Sequence, residues 1–171
     1  MEEKVSTSKF ALQQGLILAL IVTIYTLVIQ LTGLYQQAWG NYLSYLIYLG
    51  FIIYIFKKFK DLNNGFMTLG QSLGLGTLTT LVSGAISSTV YALYIQFVDD
   101  SSIKYAMEKQ AEEMYNSGMS TEQIEAAEKM SSMFQGPLFL IIAGTIGTVI
   151  LGFIISLIVG LIMKRNPPQE F

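Results

Sequence analysis

The sequence predicts an all-α integral membrane protein, a four-transmembrane-helix bundle with an extracytoplasmic amphipathic helical hairpin between its third and fourth helices. Composition is the first reason. Of the 171 residues, 52% are hydrophobic and 13% are charged, whereas ordinary soluble domains carry about 25% charged residues. Distribution is the second reason, because about 20 apolar residues in a helix suffice to cross a bilayer. Charged residues are absent from four long stretches, 10–40, 41–56, 62–98 and 130–163.

These uncharged stretches predict four spans within one membrane domain that covers the whole chain, 1–171. The spans are placed at residues 10–32, 39–56, 66–98 and 137–163. The first is interpreted as a retained helix, because its apolar run is longer than the 7–15 residues of a signal-peptide core.

Local signals set the ends of the spans. Gly33 is expected to end the first helix, and the basic patch that begins at Lys57 is expected to end the second. Pro137 suits the first helical position of the fourth. As a helix, residues 66–98 would be about 50 Å long, against a hydrocarbon core of about 30 Å. The third span is therefore expected to tilt, to protrude or to begin with an interfacial segment.

The basic residues predict an orientation. Cytoplasmic loops of membrane proteins carry an excess of Lys and Arg. With four spans, both termini and the loop after the second span share one side, which holds Lys4, Lys9, Lys57, Lys58, Lys60, Lys164 and Arg165. The other side holds three basic and eight acidic residues. The expected location is a bacterial inner membrane, with the N- and C-termini in the cytoplasm.

The segment 101–135 differs from the spans because it is charged and rich in methionine. Apolar residues recur in it at helical spacing. Residues 116–118, Asn-Ser-Gly, are a helix stop, and Ser120 followed by Gln123 matches a capping box. The pattern predicts a hairpin of two amphipathic helices. Two interpretations of this hairpin are open. In the first, it binds a partner or covers the mouth of the bundle. In the second, its helices pack on each other and on the ends of the spans, with their acidic residues in water.

Small residues recur at every fourth position in the third and fourth spans. The rows are Ser72, Gly76, Thr80, Gly84 and Ser88, and Gly144, Thr148, Gly152, Ser156 and Gly160. Such rows let two backbones approach closely in lipid, where no hydrophobic effect draws helices together. We therefore interpret them as helix-packing surfaces. The two rows are expected to pack against each other within one chain, since this needs no second chain. The alternative is that each row packs against its own copy in a homo-oligomer.

Hydroxyl side chains offer another interpretation, a polar lining for a pore. In the third span they are Thr77, Thr79, Thr80, Ser83, Ser87 and Ser88. A hydroxyl within a helix also bonds the carbonyl four residues earlier, so packing is the preferred interpretation. In the first span, Thr23, Thr26 and Gln30 recur at helical spacing and are expected to face the bundle.

The sequence shows no signature of catalysis, metal binding or cofactor binding. Without Cys and His, thiolate sites and the commonest metal ligand and proton shuttle are excluded. No ionisable residue lies well inside a predicted span, which argues against a proton-driven pump. No phosphate-binding Gly loop occurs. We expect a non-enzymatic protein with no cofactor and no metal. A net charge of −2 also argues against nucleic acid as a partner.

Several short motifs, in order and spacing, resemble the domain-of-unknown-function 4199 (DUF4199) family of Bacteroidota membrane proteins. They include the basic patch after the second span, Gly70-Gln71, the acidic turn at Asp99, and Gly118-Met119-Ser120. The resemblance implies a four-helix inner-membrane protein with a helical extracytoplasmic insert. It implies no activity, because the family is assigned none.

The sequence favours a non-enzymatic structural or partner-binding membrane protein. The alternative is a small, oligomeric transporter or channel-like protein for an uncharged solute or a lipid. The partners expected are the lipid bilayer, together with a second copy of the chain or another membrane or periplasmic protein.

Overall fold

A computed structural model describes residues 6–168 as a helical protein. Lys4, counted above for orientation, lies outside this range. The helices are α1 (Thr7–Thr32), α2 (Ala38–Leu62), α3 (Leu69–Phe97), α4 (Ser101–Asn116), α5 (Thr121–Ser132) and α6 (Pro137–Met163). A 3₁₀ turn, Leu34–Gln36, joins α1 to α2. Four of the helices, α1, α2, α3 and α6, are long and apolar enough to cross a membrane.

Capping residues explain most helix ends. Gly33 ends α1 in the left-handed conformation, with φ of 71°, which glycine adopts at little cost. A capping box formed by Thr68 and Gln71 begins α3, and the predicted box of Ser120 and Gln123 begins α5. Pro137 occupies the start of α6, as predicted.

One predicted boundary was wrong. The basic patch does not end α2, because lysine is a good helix former, and the helix continues through Lys57 to Leu62. It ends where Asn64 and Gly65 turn the chain with φ of 54° and 81°. The third helix lies within its predicted range of 66–98, because α3 is one continuous helix, Leu69–Phe97.

The bundle is built around α3, which packs extensively against α6 on one side and α1 on another. The helix α2 makes far fewer contacts with the other three. It is joined to them by an apolar cluster that includes Phe56 and Phe59 of α2, Leu75 of α3 and Val159 of α6. We call the half of the bundle near Lys60 the basic end, and the half where α4 begins the α4 end.

The four long helices expose many large apolar side chains. Leu31 of α1 is 72% exposed and Ile162 of α6 is 80% exposed. Along α6, Ile142, Ile146, Ile150, Ile154 and Ile158 are all exposed and lie four residues apart. Soluble monomers rarely expose apolar patches larger than a few hundred Å², whereas a bilayer would cover such a surface.

Candidate functional site

The small-residue rows of α3 and α6 face each other within one chain. They run antiparallel in a constant register, and in every pair a glycine of one helix meets a serine or threonine of the other. The pairs are Ser72 with Gly160, Gly76 with Ser156, Thr80 with Gly152, Gly84 with Thr148 and Ser88 with Gly144. All ten residues predicted from the row pattern therefore lie in a single interface.

The two backbones in this interface are too close for larger side chains. A Cβ atom added at Gly152 would lie 2.6 Å from the Cβ of Thr80, and one added at Gly76 would lie 2.7 Å from the Cβ of Ser156. In all five pairs the corresponding distance is 2.9 Å or less. Carbon atoms make favourable contacts at about 3.5–4.0 Å. Any side chain at one of these five glycine positions would therefore overlap the serine or threonine opposite.

Most hydroxyls in the rows bond to their own helix. Thr80 donates to the carbonyl of Gly76 at 3.0 Å, and Thr148 donates to that of Gly144 at 2.8 Å. Ser88 also reaches α6, where its Oγ lies 3.1 Å from Oγ1 of Thr145. Most of these hydroxyls are thus satisfied within their own helix, while the buried Oγ of Ser156 has no partner among the described residues, so the interface is held by close packing.

The hydroxyls considered as a pore lining take different positions. Thr79 donates to the carbonyl of Ala11, at the contact between α3 and α1. Thr80 lies in the interface with α6. Ser87 and Ser88 line a cavity in the other half of the bundle from the basic end.

That cavity, of about 530 Å³, lies in the α4 end of the bundle. Ligand sites in proteins usually measure about 300–1,000 Å³. Its lining comes from α1, the 3₁₀ turn, α2, α3, α4 and α6, and consists of Val22, Tyr25, Thr26, Ile29, Gln30, Tyr35, Gly40, Ser44, Ile47, Tyr48, Ser87, Ser88, Tyr91, Ser102, Tyr105, Ala106, Gly144 and Thr148. Eleven of these eighteen residues carry a side-chain hydroxyl, and none of the described residues in the lining is charged.

The cavity is closed toward the basic end. Leu18, Val22 and Tyr48 form a buried cluster beneath it, and the larger cluster around Phe56 lies farther in the same direction. Within the described residues the cavity is a pocket rather than a channel through the bundle.

The start of α4 lines the cavity at the opposite end. Ser102 is buried, with its Oγ 3.4 Å from the hydroxyl of Tyr91. Tyr105 donates to the carbonyl of Gln36 at 3.4 Å and its ring contacts that of Tyr35. We call this segment, residues 101–106, the roof. Just before it, hydrogen bonds from the side chain and backbone of Ser101 lower the pKa of Asp99, which keeps that carboxylate charged at the surface.

Several polar side chains line the cavity. Gln30 is 8% exposed and lies in the lining. Tyr48, also in the lining, lies near the hydroxyls of Ser83, Ser87 and Thr148. A molecule bound in the cavity could form hydrogen bonds with such groups, which fix a ligand's orientation in binding sites.

The described lining of the cavity is uncharged and offers no metal site. In the described part of the chain, no group of His, Cys, Asp or Glu residues is arranged to hold a metal ion. The lining offers hydrogen-bond donors and acceptors on an apolar background, and no charged group to act as acid or base. It therefore fits an uncharged molecule.

Sequence reasoning found part of this site. Thr26 and Gln30 were expected to face the bundle, and both line the cavity. The five tyrosines were missed, because each comes from a different helix or turn and aromatic residues are also typical of membrane interfaces. The concentration of these tyrosines in one half of the bundle is the signal that could have pointed to the cavity.

Comparison with family models matches residues 10–165 to the family described as protein of unknown function DUF4199. Comparison with curated proteins and with solved structures gives no match. The match covers nearly the whole chain, including every helix that borders the cavity. The chain belongs to the DUF4199 family.

Proposed function

We propose that this chain is a non-enzymatic, multi-pass membrane protein that binds an uncharged molecule in the cavity of its α4 end. The observation that carries the proposal is the cavity itself, whose described lining combines the amide of Gln30, a residue that is 8% exposed, with many hydroxyls and no charge. A charged ligand would lose its hydration there without gaining a counter-charge.

The proposed setting is the inner membrane of a Bacteroidota bacterium, with both termini in the cytoplasm. The membrane location is supported by four long apolar helices. The orientation is supported by the basic residues at one end of the bundle. In this arrangement α4 and α5 form an extracytoplasmic helical hairpin, and the cavity lies in the outer half of the bilayer.

Native mass spectrometry of protein extracted mildly from its own membrane tests the binding proposal. We expect part of the population to carry one uncharged molecule of a few hundred daltons. Gln30→Leu should lose this adduct, because it removes a buried hydrogen-bonding partner worth ~1–3 kcal/mol. Leu31→Ala, at an exposed neighbouring position, is the control and should keep it. A bare chain in every sample, or an adduct unaffected by Gln30→Leu, would count against the proposal.

Cysteine labelling tests the orientation, and the cysteine-free sequence provides a clean background. Ser117 lies in the exposed turn between α4 and α5. A Ser117→Cys variant should react with a membrane-impermeant thiol reagent in intact spheroplasts, whereas a Lys57→Cys variant should react only after lysis. The reverse pattern would overturn the orientation.

A second candidate is an accessory subunit whose hairpin binds another membrane or periplasmic protein. The favouring observation is that α5 has no buried residue. Met130 and Met133, in and just after this helix, are 64% and 72% exposed, and Phe134 is 49% exposed. A stoichiometric second protein in the same native mass spectra would support this candidate, and a homo-oligomer would favour the transporter interpretation.

A further inference from the structure

Cationic side chains are concentrated where α2 and α6 end, at the opposite end of the bundle from the cavity. They are Lys57, Lys58, Lys60, Lys164 and Arg165. In the part of the chain that the structure describes, both ion pairs lie in or beside α4. Asp61, although it is next to Lys60 in the sequence, forms no ion pair within those residues. These cations therefore have no carboxylate partner among residues 6–168.

The side chain of Lys60 is held beside the end of α6. Its ammonium donates to the carbonyl of Met163 at 3.0 Å, and Met163 is followed directly by Lys164. An ammonium has three hydrogen-bond donors, so this bond uses one and leaves two for an anion. Lys57 precedes Lys60 by three residues, which puts both on one face of α2. Two helices thus bring three lysine positions, 57, 60 and 164, next to one another.

The exposed apolar surface of α6 ends where these lysines begin. Leu161 and Ile162 are 49% and 80% exposed, and Lys164 follows them after Met163. In a membrane such apolar side chains contact acyl chains, whereas lysines near helix ends extend to the head-group level. A phospholipid with its acyl chains against Leu161 and Ile162 therefore has its phosphate at the level of Lys164.

We propose that Lys57, Lys60 and Lys164 bind the head group of one anionic phospholipid of the phosphatidylglycerol type. The phosphate accepts charge-assisted hydrogen bonds from the ammonium groups, and its negative charge reduces the repulsion among them. In membrane proteins, basic pockets between transmembrane helices bind anionic head groups in this way. The site is separate from the cavity, and its ligand is charged where that of the cavity is not.

Native mass spectrometry of delipidated protein in micelles tests this inference. The protein is titrated with palmitoyl-oleoyl phosphatidylglycerol and with the phosphatidylethanolamine of the same acyl chains, which has no net charge. Wild type should bind one phosphatidylglycerol about tenfold more tightly than phosphatidylethanolamine. Lys164→Gln should weaken phosphatidylglycerol binding about fivefold, because one basic residue near the membrane surface contributes about that much.

Lys58→Gln is the matched control, since it removes the same charge at the same end of α2. Lys58 lies two residues from Lys60, about 160° around the helix, and its ammonium contacts the hydroxyl of Tyr54 at 3.3 Å. Its substitution should leave phosphatidylglycerol affinity unchanged. Lys60→Gln should weaken binding, but it also removes the bond to α6. If that variant folds poorly, the exposed Lys164 still provides the test.

Several outcomes would overturn the site. Equal affinity for the two lipids, the absence of bound phosphatidylglycerol, or equal losses in Lys164→Gln and Lys58→Gln would reduce it to general attraction between a basic surface and a membrane. Displacement of phosphatidylglycerol by excess inorganic phosphate would show that the anion comes from water and that the choice of a lipid is wrong. Gln30→Leu should leave phosphatidylglycerol binding unchanged, so this test is independent of the ligand of the cavity.

Discussion

Replacing Gly152 with leucine is expected to prevent most of the protein from folding. The added Cβ alone would lie 2.6 Å from the Cβ of Thr80, and both residues are buried in the interface between α3 and α6. Relief requires α3 and α6 to separate, which loosens every pair in the row. We expect a loss of at least ~3 kcal/mol in unfolding free energy, the upper range of overpacking costs. The loss is measured by the folded yield after size-exclusion chromatography and by thermal unfolding in micelles.

The same helix supplies the matched control. Gly147→Leu makes the same substitution at a position with open space and should change stability by less than ~0.5 kcal/mol. A swap provides a further check: Gly152→Ala should destabilise, and adding Thr80→Gly should restore part of the loss because the two sites are in contact. Equal folded yield and equal thermal stability of Gly152→Leu and Gly147→Leu would show that α3 and α6 do not pack as described.

Phe56→Ala is expected to give the second largest effect. Phe56 is fully buried and lies in the cluster through which α2, otherwise weakly attached, contacts α3 and α6. In soluble proteins such truncations cost about 3–5 kcal/mol. In a membrane the unfolded reference keeps apolar side chains in lipid, so only the packing part is lost, and we expect ~2 kcal/mol. Thermal unfolding in micelles measures the change.

Leu46→Ala is the control for this truncation. Leu46 lies on the same helix, 61% exposed, and its truncation should have little effect. Because α2 forms one wall of the cavity, Phe56→Ala should also reduce ligand retention. Stability losses of the same size in both variants would mean that the cluster does not anchor α2.

Local signals explain which parts of the fold the sequence predicts. Gly33 and Pro137 act within one turn of their own positions, and the structure ends α1 and begins α6 where they indicate. The small-residue rows are also readable, because a spacing of four places them on one helix face. The end of α2 was misjudged because a change in charge at Lys57 was taken for a change in backbone, whereas the backbone turns only at Asn64 and Gly65.

The cavity could not be predicted in the same way. Its lining comes from six different elements of the structure. Each contributes only a few residues, and their arrangement around one volume is a tertiary property. The row pattern distinguishes Gly152, which packs against Thr80, from Gly147, which has open space beside it, but it does not indicate where the other helices leave a cavity.

Photo-crosslinking in native membranes tests the central claim, ligand binding in the cavity, most directly. Benzoylphenylalanine would replace Tyr91, which lines the cavity, or Tyr42, which is 67% exposed on α2. After irradiation, mass spectrometry identifies what each position captures. We expect one defined uncharged molecule at position 91 and a mixture of bulk phospholipids at position 42. The same phospholipid mixture at both positions, or no adduct at position 91, would contradict the account.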